Sequence, residues 1–352
     1  MKYTYIIRLL IFLQLISAQS KVGTSAAPFL GINVGASSVG LSGAITSHAF
    51  DASVLYINPG AIAQLDNSQI LLSKTNWIVD THINFISSVF ILNSQSAMGF
   101  FINHLDYGSE EITDLNNQDG TGLYWSASDI VTGIAYAQNL TDRFSLGGTL
   151  KYIYQRIHNE RASALATDVG LLYRTTNEKF KIGMSVSNWG SDMAMDGKDL
   201  YKKIDLDPNH EGHNETLVAK MKTDNWPLPL FFRVGLSSDI ISNPTYKMTL
   251  LTDAFIPSDD VETIHLGLQS SFSERVFLRC GYRNLGNPDR MEGFTLGVGT
   301  KLFTAGMADT HTLKAHLVES VPYFRYLMMG VGLLLIMRYR PKGILPEKIE
   351  IK

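Results

Sequence analysis

Residues 144–154 read FSLGGTLKYIY, and their side chains alternate between two kinds of surface. The even-numbered positions are mostly large and apolar, whereas the odd-numbered positions are mostly small or polar. Successive side chains of a strand point to opposite faces, so the alternation predicts a β-strand with a different solvent on each side. The same pattern returns at 180–187 and at 294–301. A strand of about ten residues can cross a bilayer at a steep tilt, with apolar residues facing lipid.

The spacing of such segments predicts a transmembrane antiparallel β-barrel. Twelve strands are predicted, at 68–76, 81–92, 96–106, 126–138, 142–156, 163–174, 179–188, 229–239, 245–254, 261–271, 274–284 and 292–303. Short links such as 93–95 and 139–141 alternate with longer ones such as 107–125, 157–162 and 189–228. Bacterial outer-membrane barrels have short periplasmic turns and long extracellular loops, so the first strand is predicted to start on the periplasmic side.

The rest of the chain divides into four predicted regions. Residues 1–18 have basic residues around a short apolar core and end in Ser-Ala, which predicts a signal peptide. Residues 19–66 are rich in Gly, Ala and Ser and predict a looped or helical plug with a turn at 58–60. The barrel is predicted over 67–303 and an atypical tail over 304–352. Export together with two-faced strands predicts the outer membrane as the location.

Composition excludes several classes of function. The formal charge is −3 with 18% charged residues, which does not suit a nucleic-acid-binding protein. A single cysteine, Cys280, excludes an internal disulfide. The segment 205–213 holds two histidines and several acidic residues, but its spacing fits neither a zinc-protease helix nor a calcium loop, so a solvated loop is predicted. We therefore expect no catalytic site, metal or cofactor, and no enzyme.

Charged residues on the polar parity of the strands are predicted to face the barrel interior, because a charge facing lipid costs about 2–4 kcal/mol near the bilayer midplane. These residues are Lys151, Asp168, Lys181, Arg233, Asp253, His265, Arg279 and Arg283. Two interpretations remain open. The charges form a salt-bridge network that rigidifies the barrel, or they line a polar path for a solute.

Several short motifs, in order over residues 23–302, resemble the PorV/PorQ family of outer-membrane proteins, which is related to FadL-type transporters. They include Gly23–Ala27, Asp51–Ser53 leading to Asn58-Pro59, Leu105–Gly108, Ser126–Asp129, Asn188–Gly190, Pro227–Leu230, His265–Leu268 and Arg279–Tyr282. The resemblance implies about fourteen strands, within the range of such barrels, and an N-terminal segment folded into the periplasmic mouth. It also implies that Asp51, Asn58 and Pro59 mark the entry of that segment into the wall.

The resemblance implies two alternative functions. The first is a non-enzymatic component of a type IX-like secretion system, whose partners are secreted cargo proteins and subunits of the secretion machinery. The alternative, from the FadL side of the kinship, is a transporter of hydrophobic small molecules. Both alternatives place the protein in contact with outer-membrane lipid, and neither involves nucleic acid.

The C-terminal tail departs from the family pattern. Residues 321–337 are strongly apolar, and 338–346 read RYRPKGILP, which resembles the end of a branched-chain amino-acid ABC permease. An apolar helix is therefore predicted in the tail. The final hairpin that the resemblance implies is missing from its usual place, so closure of the barrel is an open question.

Overall fold

Antiparallel strands dominate the computed structural model, which describes residues 23–176, 179–205, 217–287 and 293–301. The strands are β1 Gln69–Asn76, β2 His82–Asn93, β3 Ser96–Glu111, β4 Tyr124–Thr141, β5 Phe144–Ile157, β6 Glu160–Arg174, β7 Phe180–Gly190, β8 Asp196–Gly197, β9 Tyr201–Ile204, β10 Leu217–Lys220, β11 Phe231–Ser242, β12 Tyr246–Pro257, β13 Thr263–Phe272, β14 Val276–Leu285 and β15 Phe294–Thr300. Twelve of them form one sheet in the order β1 to β7 and then β11 to β15, each antiparallel to its neighbours. The predicted all-β antiparallel fold is confirmed.

Helices are few and short. One α-helix, α1, spans Ala36–Gly40, and 3-10 helices span Pro28–Gly31, Ala52–Tyr56, Pro59–Gln64 and Lys198–Leu200. No helix in the described ranges is long and apolar enough to span a membrane. The predicted tail helix at 321–337 and most of the predicted loop at 205–213 lie outside the described residues.

The two faces of the sheet differ as the alternation predicts. On β5, Ser145, Thr149 and Lys151 are buried, whereas Leu146 and Leu150 between them are exposed. The same alternation of burial runs through β7 and β11. We call the buried side the inner face and the apolar exposed side the outer face.

The links between strands define two ends of the sheet. At the turn end, two to five residues join neighbouring strands, at 94–95, 142–143, 175–179, 243–245 and 273–275. At the loop end the links are 77–81, 112–123, 158–159, 191–230, 258–262 and 286–293. The predicted strict alternation of short and long links is wrong at β5–β6, because both strands continue to a two-residue turn at His158-Asn159.

Residues 23–66, here called the N-terminal segment, run along the inner face from the loop end to the turn end. At the loop end, the Ala26 N–H donates to the Pro227 carbonyl oxygen at 2.8 Å. At the turn end, the Asn139 side-chain amide donates to the Ala63 carbonyl oxygen at 3.0 Å. The segment therefore reaches both ends, rather than only the mouth that the resemblance implies.

The sheet has two outermost strands. Among the described residues, β1 pairs only with β2, and β15 pairs only with β14. The described wall thus contains twelve of the about fourteen strands that the resemblance implies.

Candidate functional site

Glycines on the inner face let the N-terminal segment lie directly against the backbone of the wall. A Cβ on Gly170 would overlap Asn58 Oδ1 and stand 2.8 Å from Pro59 Cδ. A Cβ on Gly183 would overlap the Thr46 carbonyl group. Further inner-face glycines touch the segment in the same way, namely Gly99, Gly147, Gly235, Gly267, Gly281 and Gly297. Any larger side chain at these places would hold the segment away from the wall.

Of the predicted entry motif, Asn58 and Pro59 lie against β5 and β6, and the chain enters the wall only later, at Gln69. Asn58 is fully buried, and its side-chain amide donates to the carbonyl oxygens of Thr46 at 2.7 Å and Leu171 at 3.0 Å. Its Oδ1 accepts from the Gly60 N–H at 3.0 Å. Pro59 begins a 3-10 helix, so the turn predicted at 58–60 is wrong.

Asp51 holds together the part of the N-terminal segment that precedes the wall. Its Oδ1 accepts hydrogen bonds from the Ser53 N–H at 2.9 Å and the Ser53 hydroxyl at 2.6 Å, and its Oδ2 accepts from the Ser37 hydroxyl. The carboxylate thereby caps the 3-10 helix at Ala52–Tyr56. Next to it, the Ala52 N–H donates to Gln69 Oε1 at 3.1 Å, which ties the segment to β1.

Lys151 and Asp168 form a fully enclosed ion pair on neighbouring strands. Lys151 Nζ lies 2.6 Å from Asp168 Oδ2, and both side chains are at most 2% exposed. Lys151 also donates to Asn188 Oδ1 at 2.8 Å, and the Asn188 N–H donates to Asp168 Oδ1 at 2.8 Å. The Asn188 side-chain amide then donates to the Pro229 carbonyl oxygen at 2.9 Å. The ion pair is thus linked to the 191–230 connection at the loop end.

A second buried group lies on β11, β12 and β13. Asp253 Oδ2 accepts from the Thr46 N–H at 2.9 Å, so this carboxylate holds the N-terminal segment. The Arg233 guanidinium stacks on the rings of Phe231 and Phe255, at 5.0 and 4.7 Å from their centroids. His265 Nε2 lies 3.2 Å from the Thr263 hydroxyl.

The remaining predicted interior residues are partly buried and lie apart from each other. Lys181 Nζ is 3.4 Å from His48 Nδ1 at the turn end. Arg279 Nε donates to Gln269 Oε1 at 2.7 Å, and Arg283 donates to the Gly31 carbonyl oxygen at 3.3 Å. The eight charged residues therefore form separate contacts along the inner face rather than one cluster.

His48 is a buried histidine of the N-terminal segment that the sequence patterns did not single out. Its ring stacks on Phe50 with centroids 4.1 Å apart. Burial lowers the pKa of His48 well below its usual range, and the charges of Lys181 and Lys247 lower the pKa further. The folded protein therefore holds this imidazole in its neutral form.

His48 should make the folded protein less stable in acid. The unfolded chain binds a proton at His48 below about pH 6.5, whereas the folded chain resists it, so this stability is present above pH 6.5 and falls as the pH drops. The loss is at most about 1.4 kcal/mol per pH unit. We expect His48→Gln to reduce the difference in urea midpoint between pH 7.5 and pH 5. His158→Gln, in the exposed β5–β6 turn, is the control, and an unchanged pH dependence in His48→Gln would refute the assignment.

The inner face offers hydrogen bonding, charge and close packing rather than bond-breaking chemistry. In the described ranges, no group of three His, Cys, Asp or Glu residues is arranged to hold a metal ion. The residues missed from the sequence are Asn188, His48, Tyr56, Ser185, Ser187 and the inner-face glycines. The parity of the glycines in the alternation could have placed them on the inner face, but not against the N-terminal segment.

No protein-family model matches the sequence, and no curated protein matches it either. Solved structures do have similar folds. The CymD monoaromatic hydrocarbon channel has a TM-score of 0.52 at 13% identity, covering 79% of this chain and 91% of that chain. A Pseudomonas aeruginosa FadL homologue has a TM-score of 0.46 at 11% identity, covering 82% and 88%. The Ralstonia pickettii toluene transporter TbuX has a TM-score of 0.43 at 10% identity, covering 71% and 85%.

The likeness to CymD is one of fold, because the identity is only 13%. It agrees with the FadL-related β-barrel in the predicted resemblance, and the similar structures are channels and transporters rather than enzymes. The PorV/PorQ assignment and the permease-like tail gain nothing from these comparisons and stay predictions. The chain thus has the fold of a FadL-related membrane β-barrel.

Proposed function

We propose that the protein is an outer-membrane barrel that passes small hydrophobic compounds, with the N-terminal segment as a plug that must shift during passage. The observation that carries this proposal is the fold shared with CymD, which is described as a monoaromatic hydrocarbon channel. In this orientation the turn end is periplasmic and the loop end is extracellular.

The outer face supports a location in lipid. Its exposed side chains are large and apolar along successive strands, among them Leu150, Leu165, Val169, Leu236 and Leu296. A contiguous apolar surface of this kind would be a liability in water and suits the hydrocarbon of a bilayer. The polar inner face is covered by the N-terminal segment.

The placement of the N-terminal segment supports its role as a plug. The segment touches β3, β5, β6, β7 and β11 through backbone and side-chain contacts, with Leu41 and Leu55 fully buried. At the loop end it is held by the Pro227 carbonyl and by Asp259, whose carboxylate accepts from the Ser25 hydroxyl. A solute entering from this end would have to displace these contacts.

Uptake of labelled toluene by cells of a diderm host tests the proposal. Cells producing the full chain should accumulate toluene several times faster than cells with the empty vector, while uptake of a sugar stays unchanged. A gel shift on heating should verify that the barrel is folded. Equal toluene uptake in both cell types, with folded barrel in the outer membrane, would refute the proposal.

A disulfide lock provides an internal control for movement of the plug. The hydrogen bond from the Ala26 N–H to the Pro227 carbonyl brings these backbones close enough for a disulfide, which needs Cα atoms about 4.4–6.8 Å apart. In a Cys280→Ser background, Ala26→Cys with Pro227→Cys should reduce uptake when oxidised and restore it when reduced. Uptake that ignores the redox state would argue against movement at this contact.

The secretion role implied by the PorV/PorQ resemblance is the other candidate, and only the sequence motifs support it. Capture of secreted proteins with the native barrel, in an organism that has type IX components, would favour this role. Capture of hydrophobic compounds alone would favour transport.

A further inference from the structure

Arg233 is a buried cation whose nitrogens have no acceptor. The residue is 7% exposed and lies on the inner face, toward the loop end of β11. Within the described part of the chain, its guanidinium makes no hydrogen bond and no ion pair shorter than 4.0 Å. Guanidinium carries five N–H donors, and leaving buried donors unpaired is costly. A buried site that keeps such a cation is therefore suited to an anionic ligand.

The contacts of Arg233 leave a defined part of the guanidinium free. The rings of Phe231 and Phe255 lie over it at 5.0 and 4.7 Å from their centroids. Stacking occupies the flat surface of a guanidinium, whereas its hydrogen-bond donors point outward in the plane. The in-plane edge of Arg233 is thus available, and aromatic rings surround it.

Two serine hydroxyls stand beside this edge. Ser185 pairs directly with Arg233 across β7 and β11, and Ser187 pairs with Phe231 in the same ladder. Both serines are 2% exposed, and neither hydroxyl has a hydrogen-bond partner among the described residues. One cation and two unpartnered hydroxyl groups therefore occupy the same stretch of the inner face.

The nearby carboxylates already have partners. Asp253 Oδ2 accepts from the Thr46 N–H, and Asp168 is paired with Lys151. Their negative charges oppose a dianion such as phosphate more strongly than a monoanion. A carboxylate matches the planar fork of guanidinium and can accept two parallel hydrogen bonds.

We propose that Arg233, with Ser185 and Ser187, binds the carboxylate of a small aromatic or aliphatic acid inside the barrel. The rings of Phe231 and Phe255 would contact the apolar part of the ligand. This inference rests on the proposed transport function and narrows its substrates from neutral hydrocarbons to hydrophobic monocarboxylic acids.

Benzoate and toluene are a matched pair of probes, since a carboxylate in one replaces a methyl group in the other. Binding of each to the full-length protein in detergent at pH 7.5 can be measured by calorimetry. We expect benzoate to bind about tenfold or more tighter than toluene, and Arg233→Gln to abolish this preference while leaving toluene affinity unchanged. Arg279→Gln is the control, because Arg279 already donates to Gln269 and stacks on Phe277.

Each outcome separates this inference from the proposed function. Toluene binding without benzoate binding would overturn the acid site and leave transport of hydrocarbons intact. Benzoate affinity that is the same in Arg233→Gln and wild type would also overturn the acid site. Failure of both probes to bind or to be taken up would overturn both proposals. If Arg233→Gln does not fold, Arg233→Lys should retain the preference for benzoate at reduced affinity, and loss of this preference would count against the charge.

Discussion

Valine at Gly170 should drive the N-terminal segment off the wall. The new Cβ would overlap Asn58 Oδ1 and stand 3.0 Å from the Gly60 backbone nitrogen, so residues 58–60 could not stay in place. Asn58 would lose its hydrogen bonds to Thr46, Leu171 and Gly60. Leaving buried polar groups unpaired costs about 1–3 kcal/mol each. We expect seating of the segment to weaken by about 3 kcal/mol or more.

Chymotrypsin is the appropriate probe for this change, because residues 23–66 contain no lysine or arginine but do contain Phe29, Phe50 and Tyr56. A loss of about 3 kcal/mol corresponds to an increase of about 100-fold in the unseated population, and cleavage follows that population when reseating is fast. The strands should remain folded, as judged by the gel shift on heating. The same variant should raise the leak of small solutes into liposomes.

Gly148→Val is the matched control for Gly170→Val. Gly148 lies on the outer face, and a Cβ there would meet only the Asp168 carbonyl oxygen at 3.5 Å, an ordinary contact. Gly147→Val, one residue away on the inner face, would meet the Pro59 carbonyl oxygen at 2.7 Å and should behave like Gly170→Val. Equal cleavage of Gly147→Val and Gly148→Val would show that the segment is not held by the inner face.

The strands and their faces were predictable because each depends on a local pattern. Alternation placed Lys151 and Asp168 on one face and Leu146 and Leu150 on the other, and all four are found there. The ends of the strands were harder to predict. β3 continues to Glu111, paired with Tyr124, because backbone pairing in water needs no apolar face and so leaves no alternation to detect.

The contacts across the inner face were not predictable, because they join residues far apart in the chain. Nothing near Gly183 in the sequence indicates that Thr46 packs on it. The register shift that sets Asn188 beside Asp168 is equally hidden, since an irregularity in the ladder between β6 and β7 leaves the apolar period almost unchanged. The sequence thus predicted which charges face inward, whereas their partners required the fold.

Asparagine at Asp168 should be the most destabilising single change among the inner charges. It would leave the Lys151 ammonium enclosed without its counterion, and removing one partner of a buried ion pair costs about 3–5 kcal/mol. Asn188 would also lose an anionic acceptor for its N–H, although the new amide oxygen can still accept. The temperature at which the folded band disappears on gels, or the urea midpoint in detergent, measures the loss.

A second substitution distinguishes charge burial from simple loss of packing. In Lys151→Met with Asp168→Asn, the isolated charge is gone and a side chain of similar length fills the space, so most of the lost stability should return. The exposed pair of Asp196 and Lys220, 2.7 Å apart, is the control, because Asp196→Asn should cost only about 0–1 kcal/mol. If the double variant were no more stable than Asp168→Asn alone, the uncompensated Lys151 charge would not be the cause. The interior charges would then act mainly through the hydrogen bonds that Asn188 and Pro229 share with the loop end.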